Sequence, residues 1–129
     1  MSGEIFGYLM ERLLEAGALD VFYTPVQMKK NRPASKVSVL CKEGDEQALS
    51  EILFSETTTL GVRIARMQRI VQRRETLVVV CEYGEIRMKV SDNGAAPEYE
   101  DCARAARNRK VPLIKVFEAA IKAYNYKNG

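Results

Sequence analysis

Two hydrophobic periods alternate along this chain, and their order limits what it can fold into. From Glu4 to Ala16 apolar residues recur at helical spacing, with Ile5, Leu9 and Leu13 in one stripe and Phe6, Met10 and Leu14 beside it. Gly17 ends that helix. Val21 to about Lys29 then reads as a strand, which Pro25 marks as an edge strand or a bulge. In a second strand, Lys36 to Lys42, residues Val37, Val39 and Cys41 face one way and Ser38, Leu40 and Lys42 the other. The turn between them is Asn31-Arg32-Pro33. Asp45 is the expected N-cap of a helix reaching Glu56, with Leu49, Ile52 and Leu53 inward.

Gly61 to Arg73 is expected to be a long strand. Val62, Ile64, Arg66, Gln68 and Ile70 form one alternating set, and Arg63, Ala65, Met67, Arg69 and Val71 the other. Neither set is purely apolar, so part of the strand should extend past the core. Thr76–Glu82 and Glu85–Val90 form a hairpin around Tyr83-Gly84, with Ile86, Met88 and Val90 inward and Arg87 and Lys89 outward. A polar loop, Ser91–Ala96, leads to a helix over Glu98–Arg109, with Pro97 suited to its first turn. Pro112 opens a last helix with Leu113, Val116, Phe117, Ala120, Ile121 and Tyr124 inside.

This order predicts an α+β fold. Its core is a ferredoxin-like split βαβ whose opening strand is missing or supplied elsewhere, with an added β-hairpin and two C-terminal helices. Residues 1–75 make the ferredoxin-like portion and 76–129 the hairpin and two-helix portion, the two expected to form one compact unit. The 129 residues are 47% hydrophobic and 29% charged, a globular balance. No apolar run approaches the roughly 20 residues of a membrane span, and Glu4, Glu11, Arg12 and Glu15 interrupt any signal-peptide core. The expected location is cytoplasmic.

The chain has no histidine, which removes the commonest general base and the commonest metal ligand. A Ser-His-Asp or Cys-His machine cannot be built from it, and no residue stands out as a catalytic nucleophile. Cys41, Cys81 and Cys102 are widely spaced and lack a Cys-x-x-Cys pair, so they read as core cysteines. Any metal here is expected to be a hard ion held by carboxylates and phosphate.

The net charge of +3 is modest but unevenly spread. Arg63, Arg66, Arg69, Arg73 and Arg74 fall between Thr57 and Arg74 with no acid among them, a field suited to an anionic ligand. Thr57, Thr58, Thr59, Gly61 and Arg63 stand where a helix gives way to a strand. Hydroxyls, backbone N–H groups and a guanidinium there can wrap a polyanion. They follow a helix and are not a Walker A loop. Lys29, Lys30 and Arg32 form a second basic turn. Glu98, Glu100 and Asp101 open a helix, where acids either cap it or reach a divalent cation on a nucleotide. Tyr99 reads as a core aromatic or as a stacking platform.

Several runs resemble one family: Gly7 through Asn31-Arg32-Pro33, Ile52-Leu53-Phe54, Glu56 to Arg63, Lys89-Val90, and Pro97-Glu98-Tyr99-Glu100-Asp101-Cys102. In this order they are similar to the C-terminal region of the nickel insertion protein of the lactate racemase system. This is the pyridinium-3,5-bisthiocarboxylic acid mononucleotide nickel-insertion family. The resemblance spans nearly the whole chain; Ala34 departs from it, standing where the family usually has glycine. It implies a metallochelatase of the lyase class that inserts nickel into a sulfur-bearing pyridinium mononucleotide to make the nickel-pincer cofactor. The reaction is implied to proceed with CTP and a divalent ion, magnesium or manganese. This region is implied to bind CTP and to form homo-oligomers. The family's proteins are implied to be about three times longer, their N-terminal part handling the pincer substrate or nickel, so this stretch should bind nucleotide without completing the insertion. Lys29, Lys30, Arg32, Thr57, Thr58, Thr59, Arg63, Lys89 and Tyr99 are then the candidate CTP contacts, some of them split between subunits. Glu98, Glu100 and Asp101 are the candidate metal ligands. Two other readings compete: an RNA-binding module whose arginine-rich strand tracks phosphate, and an assembly domain with no ligand.

Overall fold

The computed structural model describes residues 1–128 of the chain. The architecture is α+β, with the helix–strand–strand–helix order of the ferredoxin-like portion followed by a hairpin and two C-terminal helices. The chain divides into two compact units after Met67, inside the stretch expected as a strand.

The first unit opens with α1 (Gly3–Glu15). Ser2 caps it, its hydroxyl accepting from the Ile5 N–H at 3.4 Å. The helix stops in a Schellman arrangement: Gly17 N–H donates to the Leu14 carbonyl and Ala18 N–H to that of Leu13. Gly17 supplies the φ of 103° that this stop requires. The chain then enters β1 (Asp20–Met28), which pairs antiparallel with β2 (Arg32–Leu40), Val21 opposite Val39 and Met28 opposite Arg32. Pro25 is accommodated because a two-stranded sheet leaves edges free.

α2 (Glu46–Glu56) follows. Asp45 precedes it but makes no capping bond with its side chain. Glu46 instead reaches back to the Gly44 N–H at 2.6 Å, and its own backbone N–H together with that of Gly44 holds the Glu46 carboxyl below its ordinary range. Leu9 and Leu13 of α1, Leu49 of α2 and Val21 of β1 form the buried centre, with Ala18 beside them. Val37, Val39 and Cys41 pack on it, the face that alternation assigned to them. Tyr23 stacks on Phe6 at a tilt and donates to its carbonyl, and the Arg12–Glu56 ion pair joins the two helices.

Residues 58–73 form no helix and no strand. The long strand expected over Gly61–Arg73 is thus absent from the chain's own sheets. Among the described residues no neighbouring strand offers it a ladder, and a strand is defined by its partner.

The second unit is a three-stranded antiparallel sheet of β3 (Arg74–Cys81), β4 (Gly84–Ser91) and β5 (Gly94–Pro97), in that order. Gly84, at a φ of 114°, closes the first hairpin opposite Cys81. The segment expected as a polar loop, Ser91–Ala96, is a second hairpin. Its Asp92-Asn93 turn is followed by Gly94 at a φ of 140°, and Ser91 pairs with Gly94. Pro97 ends β5 and is not in the first turn of the next helix, α3 (Tyr99–Arg109). α4 (Leu113–Asn128) completes the unit. Ile86, Met88 and Val79 face Cys102, Val116 and Ala120 in a core fully closed to solvent.

Candidate functional site

The basic turn sits at the tip of the β1–β2 hairpin, as a 3-10 turn over Lys29–Asn31. Lys30 and Asn31 both take left-handed φ values, 61° and 57°. That conformation costs a side chain such as lysine about 1–2 kcal/mol, so the hairpin closes at the expense of local strain. Arg32 is already the first residue of β2. Lys29, Lys30 and Arg32 are exposed, and among the described residues none has an ion-pair partner.

The threonine run begins where α2 ends. The Thr57 hydroxyl donates to the Leu53 carbonyl at 2.6 Å and accepts from the Thr59 N–H at 3.1 Å. It therefore closes the helix and is occupied in doing so. Thr59 donates to the Gly61 carbonyl at 3.2 Å. Thr58 is exposed with its hydroxyl uncommitted among the described residues, and Arg63 is exposed and unpaired among them. Two of the other arginines are already matched: Arg66 pairs with Glu43 at 2.8 Å and Arg73 with Glu75 at 3.0 Å.

The remaining candidates belong to the second unit. On β4, Ile86 and Met88 point into the core, so Glu85, Arg87 and Lys89 point outward. Asp101, one turn into α3, lies beneath Arg87 and is only 3% exposed. Its Oδ2 accepts from the Arg87 backbone N–H and Nε, each at 2.9 Å. Its Oδ1 accepts from Arg87 Nη2 at 2.8 Å and Arg104 Nη2 at 2.7 Å. These bonds hold the Asp101 carboxyl far below the ordinary carboxylate range and raise the Arg87 guanidinium. Lys89 pairs with Glu98 at 3.3 Å.

This geometry bears on the expected metal ligands. Asp101 has both oxygens filled by guanidinium and amide donors, and Glu98 is matched to Lys89, which leaves Glu100 as the exposed carboxylate of the three. No group of three or more Cys, Asp or Glu is placed to hold a metal ion among the described residues. The three do not form a cation cage. Tyr99 is 54% exposed, so its ring is no core aromatic and is open for stacking.

Arg87 and Arg104 were not singled out in the sequence. The alternation of β4 put Arg87 outward, and Arg104 lies three residues after Asp101 on a helix, but only the fold shows one carboxylate holding both. With Val78 and Glu85 they line a hollow of about 350 Å³. Two arginines against Asp101 and Glu85 leave that hollow without net charge. It contains none of Lys29, Lys30, Arg32, Thr57, Thr58, Thr59 and Arg63.

Comparisons with known proteins agree with one another. The family described as Nickel insertion protein matches residues 1–117. A pyridinium-3,5-bisthiocarboxylic acid mononucleotide nickel insertion protein of Acetivibrio thermocellus is 50% identical over 127 residues, 95% of this chain and 31% of that protein. The protein of the same description from Lactiplantibacillus plantarum is 44% identical over 126 residues, 95% of this chain and 30% of that one. The chain thus spans about a third of the length of the curated relatives it matches. Among solved structures, the C-terminal domain of a cyclometallase involved in the synthesis of the NPN cofactor of lactate racemase, in its apo form, superposes with a TM-score of 0.85 at 43% identity. The match covers 96% of this chain and 89% of that one. A protein from Methanopyrus kandleri shares the fold at a TM-score of 0.54 and 21% identity.

Proposed function

We propose that this chain, which belongs to the nickel insertion protein family, is the CTP-binding and oligomer-forming module of a CTP-dependent nickel insertase. The full enzyme acts as a metallochelatase that places nickel, its cargo, into pyridinium-3,5-bisthiocarboxylic acid mononucleotide. The observation that carries the nucleotide reading is the set of unmatched cations on the first unit: Lys29, Lys30 and Arg32 at the hairpin tip and Arg63 beyond α2. Lysine and arginine side chains without an ion-pair partner among the described residues suit the phosphates of a nucleotide. Arg63 gives two parallel donors to one phosphate; the lysines act as point charges. Thr58 adds an uncommitted hydroxyl. Thr57 holds the end of α2 in place and so positions Thr58 for the ligand.

The second unit contributes differently. Tyr99 offers an open ring on which a base stacks. Lys89, matched to Glu98, is a cation that exchanges that partner for phosphate. The divalent ion arrives on the nucleotide, mainly phosphate-bound, with Glu100 as the carboxylate left to meet its hydration shell. Some of the nucleotide's contacts are shared between copies of the chain. Among the described residues none stands out as a nucleophile. Nickel bonding belongs to the pincer ligand's own sulfurs and ring carbon, in keeping with a chain without histidine.

The test is a calorimetric titration with CTP, ATP, GTP and UTP, each with and without magnesium or manganese. Selective, metal-dependent CTP binding is the expected result. Equal and weak binding of all four nucleotides would remove the CTP reading, and steeply salt-dependent binding of a generic RNA oligomer would replace it with an RNA-binding one.

A further inference from the structure

The hollow on the second unit carries charge of both signs that the fold leaves unmatched. Val78, Glu85, Arg87, Asp101 and Arg104 line its volume of about 350 Å³. Sites of that size take small molecules. One arginine suffices to tie β4 to α3: Arg87 meets both oxygens of Asp101, through Nε at 2.9 Å and Nη2 at 2.8 Å. Arg104 adds a second guanidinium, its Nη2 on the same Oδ1 at 2.7 Å. The buried Asp101 carboxylate offsets one of the two positive charges and leaves the other without a counter-ion in contact.

Hydrogen-bond donors remain as well. Nη1 of Arg87, and Nε and Nη1 of Arg104, have no acceptor among the described residues, and the two side chains are 54% and 64% exposed. Glu85 supplies the opposite charge. It stands two residues before Arg87 on the same outward face of β4, about 7 Å away along the strand. Glu85 is exposed and makes no ion pair among the described residues. Val78 lies opposite Arg87 in the β3–β4 ladder and is 47% exposed, an apolar surface beside these charges.

We infer that this hollow binds a small zwitterion, an amino acid by class. The ligand's carboxylate accepts from the free N–H groups of Arg87 and Arg104, its ammonium donates to Glu85, and its side chain lies against Val78. A planar guanidinium suits a carboxylate, which it meets with parallel donors. Asp101 already holds both arginines in place, so little of their rotamer freedom is left to lose on binding. A ligand with only one of the two charges leaves either the guanidinium groups or Glu85 without a partner. None of the candidate CTP contacts lines the hollow, so this inference stands apart from the nucleotide reading.

Nuclear magnetic resonance of the intact chain tests it, with each of the protein amino acids titrated in turn at constant ionic strength. Acetate, propylamine and inorganic phosphate serve as the single-charge probes. The expected result is saturable shifts of the Arg87 and Arg104 Nε–H signals and of Val78 with at least one amino acid. That amino acid should bind about tenfold or more tightly than any single-charge probe, the scale of one charge-assisted contact. Glu85→Gln and Arg104→Ala leave the Arg87–Asp101 bonds in place, so both stay folded by circular dichroism, and each should weaken the binding by about tenfold. No saturable shift with any amino acid overturns the site. Acetate or phosphate binding as tightly as the amino acids, with no loss in Glu85→Gln, overturns the zwitterion and leaves a plain anion site. Shifts that both variants retain in full place the ligand elsewhere and overturn it too.

Discussion

Asp101 carries three roles in one carboxylate: it fixes Arg87, fixes Arg104, and ties β4 to α3 through the Arg87 N–H. Its carboxyl is held well below the unfolded value of about 3.9. With the folded value depressed, its contribution is complete above that pH and drains away as pH falls through the folded value. Asp101→Asn should therefore destabilise the protein by about 2–3 kcal/mol at neutral pH, below the cost for a fully buried pair because the two guanidinium groups reach water. Urea melts at pH 7 and pH 3 check this: the gap between wild type and variant should narrow at the lower pH. Lys30 makes the opposite prediction. Lys30→Gly relieves a left-handed lysine and should stabilise by about 0.5–1 kcal/mol. It also removes a proposed phosphate contact, so CTP titration should show weaker binding by a more stable protein. At this scale the sequence was legible only in part. An acid at the start of a helix reads as a cap, a ligand or an ion-pair partner, and Asp101 is the third because the register of β4 brings Arg87 above it.

Thr57 shows how one element's end positions the next. Its hydroxyl satisfies the Leu53 carbonyl and the Thr59 N–H, so Thr57→Val should cost about 1 kcal/mol, measured by urea melts. The same change should weaken CTP binding less than Arg63→Ala does, because it loosens the phosphate contacts without removing one. Helices and hairpins with their own local stop signals could be read directly. Gly17 ends α1, Gly84 turns the β3–β4 hairpin, and the inward set Ile86, Met88 is the observed core. The second hairpin was hidden because Gly94–Pro97 is short and has little side chain to alternate. Gly61–Arg73 reads as a strand because apolar residues recur throughout it, although neither alternating set is purely apolar. Alternation reports a side chain's readiness for a sheet and leaves open whether the chain has a free place for it.

The whole molecule is built on two cores, one around Leu9, Leu13 and Leu49 and one around Val79, Ile86, Met88 and Val116. Truncating either should cost about 2–5 kcal/mol in its own unit. Hydrogen exchange of Leu13→Ala should show lost protection in α1, β1 and β2 with β3 and β4 unchanged, and Ile86→Ala the reverse. The candidate groups divide along the same line. The candidate cations Lys29, Lys30, Arg32 and Arg63 lie on the first unit, and Tyr99, Lys89 and Glu100 on the second. The central claim, that the unmatched cations of the first unit bind the phosphates of CTP, is tested most directly by calorimetry of CTP with magnesium on the wild type and on Arg63→Ala. The account predicts saturable binding that Arg63→Ala weakens by about tenfold or more, a loss of about 1.4 kcal/mol, with the melting temperature unchanged. Wild-type and Arg63→Ala proteins binding CTP equally well would contradict it.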